Sequence, residues 1–370
     1  MTGFTPPPVR ETEFRATLEP WLAALPAGLA SRHSFHRLPA IEPPWFDTGI
    51  DLAAGESVTC LADGRVYLSR LLDIWVGPAF QLWYRVGEEG PVFRGTRSTH
   101  TFVAPQAGRL WLASYFPGEW SDRSGRLGTS PAEYSKVSGG MWVLVLRWRP
   151  GTDVERMFRD FARDTRVPGL VLAEAERLDE PPTTLEPWSY LWYLGPGEIF
   201  RSSATADGRA SLCCHTHGDV GILRRDARLP LEAGLRLRWS WRVDELPLDL
   251  AEDTLPSHDY LSIAVEFDDG QDITYYWSAA LAEGTVFRCP LPTWKDKETH
   301  VVVRSGRAGL GRWLDEERDL HADYTRIIGG SARTVVRVWL IANSLFQRGH
   351  GRCEYASIRL ADNDRTVTVL

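Results

Sequence analysis

No apolar stretch in the 370 residues approaches the ~20 that a membrane-spanning helix needs, so no transmembrane helix is expected. The start, MTGFTPPPVRETEF, lacks both the basic and the apolar region of a signal peptide. Cysteine is sparse: Cys60, Cys213, Cys214, Cys289 and Cys353 are odd in number, scattered, and contain no C-x-x-C. That argues against a disulfide framework and for reduced, mostly buried thiols in a cytoplasmic protein. There is no long basic run and the net charge is −7, which disfavours nucleic acid as a partner. A phosphate loop, G-x-G-x-x-G, G-x-S-x-G and H-E-x-x-H are also absent, so no cofactor is implied. Methionine is rare as well, 3 residues against 16 tryptophans. Tryptophan serves both β-sandwich cores and sugar-binding platforms, the core being the commoner use.

What is present is short strand text. Six runs between Trp45 and Trp148 (SVTCLA, RVYLSRLLDIWV, FQLWYRVG, STHTFVAP, GRLWLASYF and MWVLVLRW) are separated by Gly, Pro and Asp at sandwich spacing. A second series runs from Trp188 to Leu370. Between them, Thr152 and Glu155 form a capping box ahead of Val154, Met157, Phe158 and Phe161 at helical spacing. Residues 169–187 are acidic and carry Pro181, Pro182 and Pro187, as a connector would. The length favours two cores. The expected organisation is a lead-in over 1–45 with a short helix near Glu11–Leu25, a β-sandwich over 46–150, a helix and linker over 151–187, and a second β-sandwich over 188–370.

The stretch Asp259–Cys289 alternates strictly. Leu261, Ile263, Val265 and Phe267 belong in a core, and Tyr260, Ser262, Ala264 and Glu266 on the other face, which suits the floor of a ligand groove. In the preceding strand Leu235, Leu237, Trp239, Trp241 and Val243 face inward, while Arg236, Arg238, Ser240 and Arg242 face outward. A row of arginines repels itself unless carboxylates or an anionic ligand answer it. Glu266, Asp259 or a ligand would supply that charge. His215 and His217 share one strand face, a metal geometry that lacks a third ligand close in sequence; satisfied surface histidines are the commoner case. Glu252, His258, Asp259 and Tyr260 bracket the start of the central strand, as acid–base groups or as turn and capping residues. The run WLDEERDLHADY (Trp313–Tyr324) reads as a solvated turn or short helix.

Several pieces of the C-terminal half carry a family likeness: WSWRVDELP (239–247), HDYLSIAVEF (258–267), TYYWS (274–278), VVVRSG (301–306), LGRWLDEERDLHADYTRIIGG (310–330) and VVRVWLIANS (335–344). In this order, over roughly 188–362, they resemble the bacterial domain-of-unknown-function 3047 family, which implies a jelly-roll sandwich and no transferable activity. Where such relatives are Asp-rich after the penultimate strand, this chain has Ile341-Ala342-Asn343-Ser344. FVAPQAGRLWLASYFPGEWSDRSGRL (102–127) and FDTGIDLAAGESVTCLADG (46–64) are similar to the galactose-binding PA-IL-type lectins. That resemblance implies a calcium and sugar loop in which Asp122 matches a ligand, Arg123 replaces the next, and Tyr115-Phe116 stand in place of a carboxylate. Calcium wants several hard oxygen donors, so the likeness extends to the fold and not to calcium-dependent binding.

The reading is therefore all-β: a lectin-like sandwich and a jelly roll joined by a helix. The expected partner is a carbohydrate or other small polar or anionic ligand in a groove of the jelly roll, with no nucleic acid and no membrane. Arg238, Arg242, Tyr260 and Arg304, with Trp120 and Asp122 in the first half, are the candidate binding residues. An enzyme of lyase, isomerase or cyclase type would use Glu266, Tyr276 and a histidine, His258 or else His215 or His217, to move protons, with an arginine steadying developing negative charge. A structural or protein-interaction module is the third alternative.

Overall fold

The computed structural model describes residues 11–41, 45–71, 73–116, 120–164, 166–180, 183–195 and 198–370. The proline runs Pro6-Pro7-Pro8, Pro43-Pro44 and Pro181-Pro182 lie outside the described residues. The chain divides into two compact units, 1–181 with 193–195, and 182–192 with 196–370. Both are built mainly of β-sheet, with a few short helices. Among the described residues no helix is long and apolar enough to cross a membrane.

The first unit contains α1 (Glu11–Ala24), β1 (Ala30–Pro39), β2 (Trp45–Leu52), β3 (Ser57–Ser69), β4 (Ile74–Val76), α2 (Pro78–Gln81), β5 (Leu82–Val86), β6 (Thr99–Val103), β7 (Gly108–Ser114), β8 (Ser138–Trp148), α3 (Val154–Phe161) and α4 (Gly169–Leu178). One sheet runs β1-β8-β3-β4 with β6 also on β3, and the other runs β2-β7-β5. Phe14, Leu18 and Trp21 recur at helical spacing on α1 and pack with Leu61, Leu144, Leu146 and Trp148 of the sheet and with Phe158 of α3 and Val171 and Ala175 of α4. The stretch read as a lead-in thus supplies a helix and a strand of the unit. The stretch read as a connector supplies one helix of its core, α4, which carries buried Glu174 paired with Arg177 at 2.7 Å. The cap of α3 is Asp153, whose Oδ1 accepts the Arg156 N–H at 3.0 Å, not Thr152. An aspartate one position nearer the helix reaches the same free N–H groups and adds its charge to the positive end.

His100 stands in this unit among Tyr84, Phe93 and Phe102. Burial, with Arg177 adding to it, lowers its pKa to about 3. The unfolded chain would take up a proton near the ordinary value of about 6.5, and the folded chain only near 3. Stability from this group is therefore full above ~6.5 and lost as pH falls towards the folded value. His100→Phe should reduce the stability difference between pH 7.5 and 4.5 by roughly 2–3 kcal/mol. Denaturant titrations at both values check this, and equal slopes in both proteins would refute it.

The second unit contains β9 (Ser189–Tyr190), β10 (Phe200–Ala204), β11 (Ala210–His217), β12 (Val220–Pro230), β13 (Arg236–Glu245), β14 (Tyr260–Phe267), β15 (Asp272–Ser278), β16 (Val286–Arg288), β17 (Glu298–Ser305), β18 (Trp313–Asp319), α5 (Leu320–Ile327), β19 (Thr334–Asn343), β20 (His350–Ala361) and β21 (Thr366–Thr368). A six-stranded sheet has the order β10-β11-β20-β13-β18, with β21 on β20, and a seven-stranded sheet has the order β16-β17-β15-β14-β19-β12-β9. Among the described residues the strand pairs of this unit are antiparallel except β15 with β17. The alternating residues meet as the strand pattern requires. Trp239 stacks on Tyr275 with centroids 5.9 Å apart, and Trp241 lies 5.8 Å from Trp277. Leu261, Ile263, Val265 and Phe267 complete this core.

The run read as a turn or short helix is a strand over 313–319, which corrects that expectation there, while 320–324 do open the short helix α5. The strand pairs Arg236 with Asp319, Arg238 with Glu317 and Ser240 with Asp315 in register. This is the charge that answers the arginine row.

Candidate functional site

The outer face of the seven-stranded sheet is the face read as a groove floor. Register aligns Arg224, Trp339, Ala264, Thr274 and His300 in one row across it. A neighbouring row holds Asp226, Arg337, Glu266, Asp272 and Glu298. Much of the face is covered. Tyr260 and Ala264 are buried with Ile222, Tyr276, Val302 and Ile341; Leu191, Trp192 and Leu281 pack against them, as do Phe287 and Trp339 from β16 and β19 of the same sheet. Ser262 is buried too. The open floor expected at these positions is therefore a second, smaller core.

Glu252, from the segment before β14, helps to fasten this cover. Its carboxylate accepts from Ser278 Oγ and Ala279 N, each at 2.6 Å, and from Tyr276 OH at 3.4 Å. Burial raises its pKa against those hydrogen bonds.

One part of the unit remains open. A cleft of about 460 Å³ is lined by Pro187, Ser189, Arg224, Arg225, Asp226 and Arg337. Arg337 Nη1 donates to both Glu266 oxygens at 2.8 Å, and its Nε to Asp226 at 3.0 Å. These bonds raise its pKa, the Glu266 hydrogen bond first. Arg225 donates to the carbonyls of Val369 and Thr368, and burial lowers its pKa. The half-buried Arg224 side chain makes no hydrogen bond or ion pair among the described residues. The lining thus carries three arginines against one carboxylate, with Arg224 and Arg337 on the outer face beside Asp226. Half-buried Trp339 stands opposite Arg224 and donates its indole N–H to Glu266 at 2.9 Å.

A buried polar cluster lies further along the face. His258 Nε2 is 3.3 Å from Cys289 Sγ, and its Nδ1 is 2.7 Å from the Glu252 carbonyl. Glu298 Oε1 is 3.3 Å from His300 Nε2 and accepts from Tyr260 OH and Thr274 Oγ1, both at 3.1 Å. Burial and nearby His300 lower the His258 pKa to about 3. Burial pushes Glu298 upward, but His300, His258 and Cys289 together bring it down to about 2.

The residues singled out from sequence do not converge. Arg238 and Arg242 lie on the other sheet, Arg238 on Glu317 and Arg242 on Asp244 and Glu354. Arg304 reaches Glu316 at 2.7 Å and ties the two sheets together. Tyr260 and Tyr276 are buried in the cover. Tyr276 is opposite Ser262, four residues from Glu266, which separates it from Glu266 by about 13 Å at ~3.3 Å per residue. His258 lies beyond Tyr260, farther still. Glu266, Tyr276 and His258 therefore do not form one proton-transfer set. Trp120 is 9% exposed, stacked on Trp45 and packed on Trp83 and Tyr115, so it is core and not a platform. Asp122 folds its own loop by accepting from Ser124 N and Oγ. His215 and His217 stand 3.0 Å apart, and the third histidine beside them is His350, paired with His217 in register. The third ligand sought at His258, Asp259 or Glu266 does not come from there. Asp259 instead accepts from the backbone N–H groups of Phe346 and Gln347.

Sequence reasoning missed Arg224, Arg337 and the cluster at Cys289, Glu298 and His300. Glu298-Thr299-His300 repeats the x-spaced pattern noticed at His215-Thr216-His217, and that was the available signal.

Fold and site together define a two-unit β protein whose second unit is a jelly-roll-type sandwich. Residues 199–359 match the family model described as "Protein of unknown function (DUF3047)". The first half weakly resembles a PA-IL-type lectin fold, at low identity and partial coverage. No curated protein matches the chain. Among solved structures, the chain is similar to a PllA-like lectin, the EclA N-terminal domain, at 20% identity and a TM-score of 0.24, over 30% of this chain and 94% of that one. It is also similar to the xyloglucanase domain of NopAA, a type three effector from Sinorhizobium fredii, in complex with cellobiose. There the identity is 9% and the TM-score 0.30, over 50% of this chain and 96% of that one. TmCBM61 in complex with beta-1,4-galactotriose gives 10% identity and a TM-score of 0.24, over 50% and 98%.

Proposed function

We propose that the second unit binds a small polar ligand bearing an anionic group, with acidic sugars as the leading class, in the cleft of Arg224, Arg225 and Arg337. The observation that carries this reading is the imbalance of charge. Arg224 has no partner among the described residues, and Arg225 meets only carbonyls, while the one lining carboxylate, Asp226, is taken by Arg337. A guanidinium left without an acceptor, as at Arg224, suits the two oxygens of a carboxylate. Half-buried Trp339, opposite Arg224 in the neighbouring strand, supplies an aromatic ring near the cleft.

Calorimetry of the full chain with glucuronate and galacturonate, against glucose and galactose as neutral probes, tests the reading. The acids should bind and the neutral sugars should not, with affinity falling as salt rises. Arg224→Ala should weaken binding at least tenfold, the size expected for a lost charged hydrogen bond. Arg238→Ala, on the other sheet, should leave it unchanged. Acidic sugars that do not bind, or bind equally to the Arg224 variant, would refute the proposal.

A further inference from the structure

His258, Cys289, Glu298 and His300 are all buried, and their donor atoms lie within 4.8 Å of one another. They reach this point from separate stretches. His258 stands just ahead of β14, Cys289 just after β16, and Glu298 and His300 are alternate residues of β17. We propose that these four side chains bind one zinc ion as a closed structural centre that locks the segment before β14 and the turn after β16 to the sheet.

The donor set is one sulfur, two imidazole nitrogens and one carboxylate, the ligand types of tetrahedral zinc. Zinc bonds of about 2.0–2.3 Å set tetrahedral donors about 3.3–3.7 Å apart. The His258–Cys289 and His300–Glu298 pairs already stand at 3.3 Å. His258 Nδ1 faces the Glu252 carbonyl, so it carries the proton, and the Nε2 lone pair is left towards Cys289. Tyr260 and Thr274 fix the Glu298 carboxylate from outside. These are the supports that hold metal ligands in register.

His300 supplies an independent sign. It is fully buried, its ring stacks on Phe287 at 5.0 Å and 8°, and neither ring nitrogen makes a hydrogen bond of good geometry, Nε2 lying only in ion-pair reach of Glu298 at 3.3 Å. Buried polar atoms are rarely left so, and a metal bond would satisfy one of them. Charge agrees, since a thiolate and a carboxylate together offset a divalent cation, whereas buried unpaired charge is costly. Four protein ligands leave no open position, which points to a structural and not a catalytic ion. On binding, the Cys289 thiol loses its proton to solvent and becomes the thiolate ligand.

The test uses the full chain purified from zinc-supplemented culture. Elemental analysis after desalting should find one zinc per chain. Exchange with cobalt should give a thiolate-to-cobalt charge-transfer band, and chelation should lower the thermal midpoint. Cys289→Ser should lose the band, and His300→Gln should lose the zinc. His350→Ala, at the exposed member of the other histidine cluster, should keep both. The proposal is overturned if folded wild-type protein takes up neither zinc nor cobalt. It is equally overturned if metal persists in Cys289→Ser and disappears in His350→Ala. If Cys289→Ser does not fold, the presence or absence of the band in wild-type protein decides.

Discussion

Trp241→Ala is expected to lower the unfolding free energy of the second unit by about 3–5 kcal/mol, the range for removing a large buried aromatic. Trp241 is fully buried between the two sheets, against Trp239, Trp277 and Tyr355. Interiors pack at crystal density, so neighbouring rings cannot collapse into a hole of that size without leaving their rotamers. A polar loss adds to the cavity. The indole N–H donates to Glu316 at 3.1 Å, and the same carboxylate receives Arg304 from the facing sheet. Trp241→Phe keeps most of the ring and loses the donor, so it should cost clearly less than alanine. Urea unfolding followed by tryptophan fluorescence measures both. A loss below 1 kcal/mol in the alanine variant would mean that the sandwich is not held where the rings place it.

That core was legible in the sequence because alternation is a local signal. The inward sets Leu235–Val243 and Leu261–Phe267 are buried as read. The opposite faces were not legible, because what lies on them comes from distant text. The arginine row on β13 was correctly expected to need carboxylates, yet they arrive from Asp315, Glu317 and Asp319, more than seventy positions on. Those acids sit in a run whose polarity hides its strand character, since an outer strand facing water can be charged at every other position. Likewise, Tyr260 and Ala264 looked like a groove floor because a strand reports which residues share a face and not what covers it. Burial under Leu281 depends on a loop path, and no periodicity encodes that.

The candidate sites follow the same logic. Arg224 and Arg337 lie in different strands and become neighbours only when β12 pairs with β19. The four proposed zinc ligands span forty-two positions, and only Glu298-x-His300 is compact enough to be noticed in the sequence. At α4, by contrast, the signal was local and present: Val171, Ala175 and Leu178 keep helical spacing. The neighbouring prolines drew the reading towards a linker.

Glu252→Leu should destabilise the cover of the outer face by about 2–4 kcal/mol and open it locally. Glu252 is 1% exposed and serves three donors: the Ser278 hydroxyl, the Ala279 amide and the Tyr276 phenol. Leucine is about as large but accepts nothing, so those donors stay buried without partners, at about 1–3 kcal/mol each. The sum is limited because the segment can lift and let water in. That relief carries its own signature. Amide exchange at Ala279 should quicken by more than tenfold, while amides of β13 and β20 in the opposite sheet keep their protection. Glu252→Gln retains one acceptor but turns an N–H₂ towards the remaining donors, so it should fall between wild type and leucine. If the leucine variant exchanges like wild type at Ala279, the carboxylate is not what fastens the cover. The packing of Leu281 on the sheet must then carry it alone.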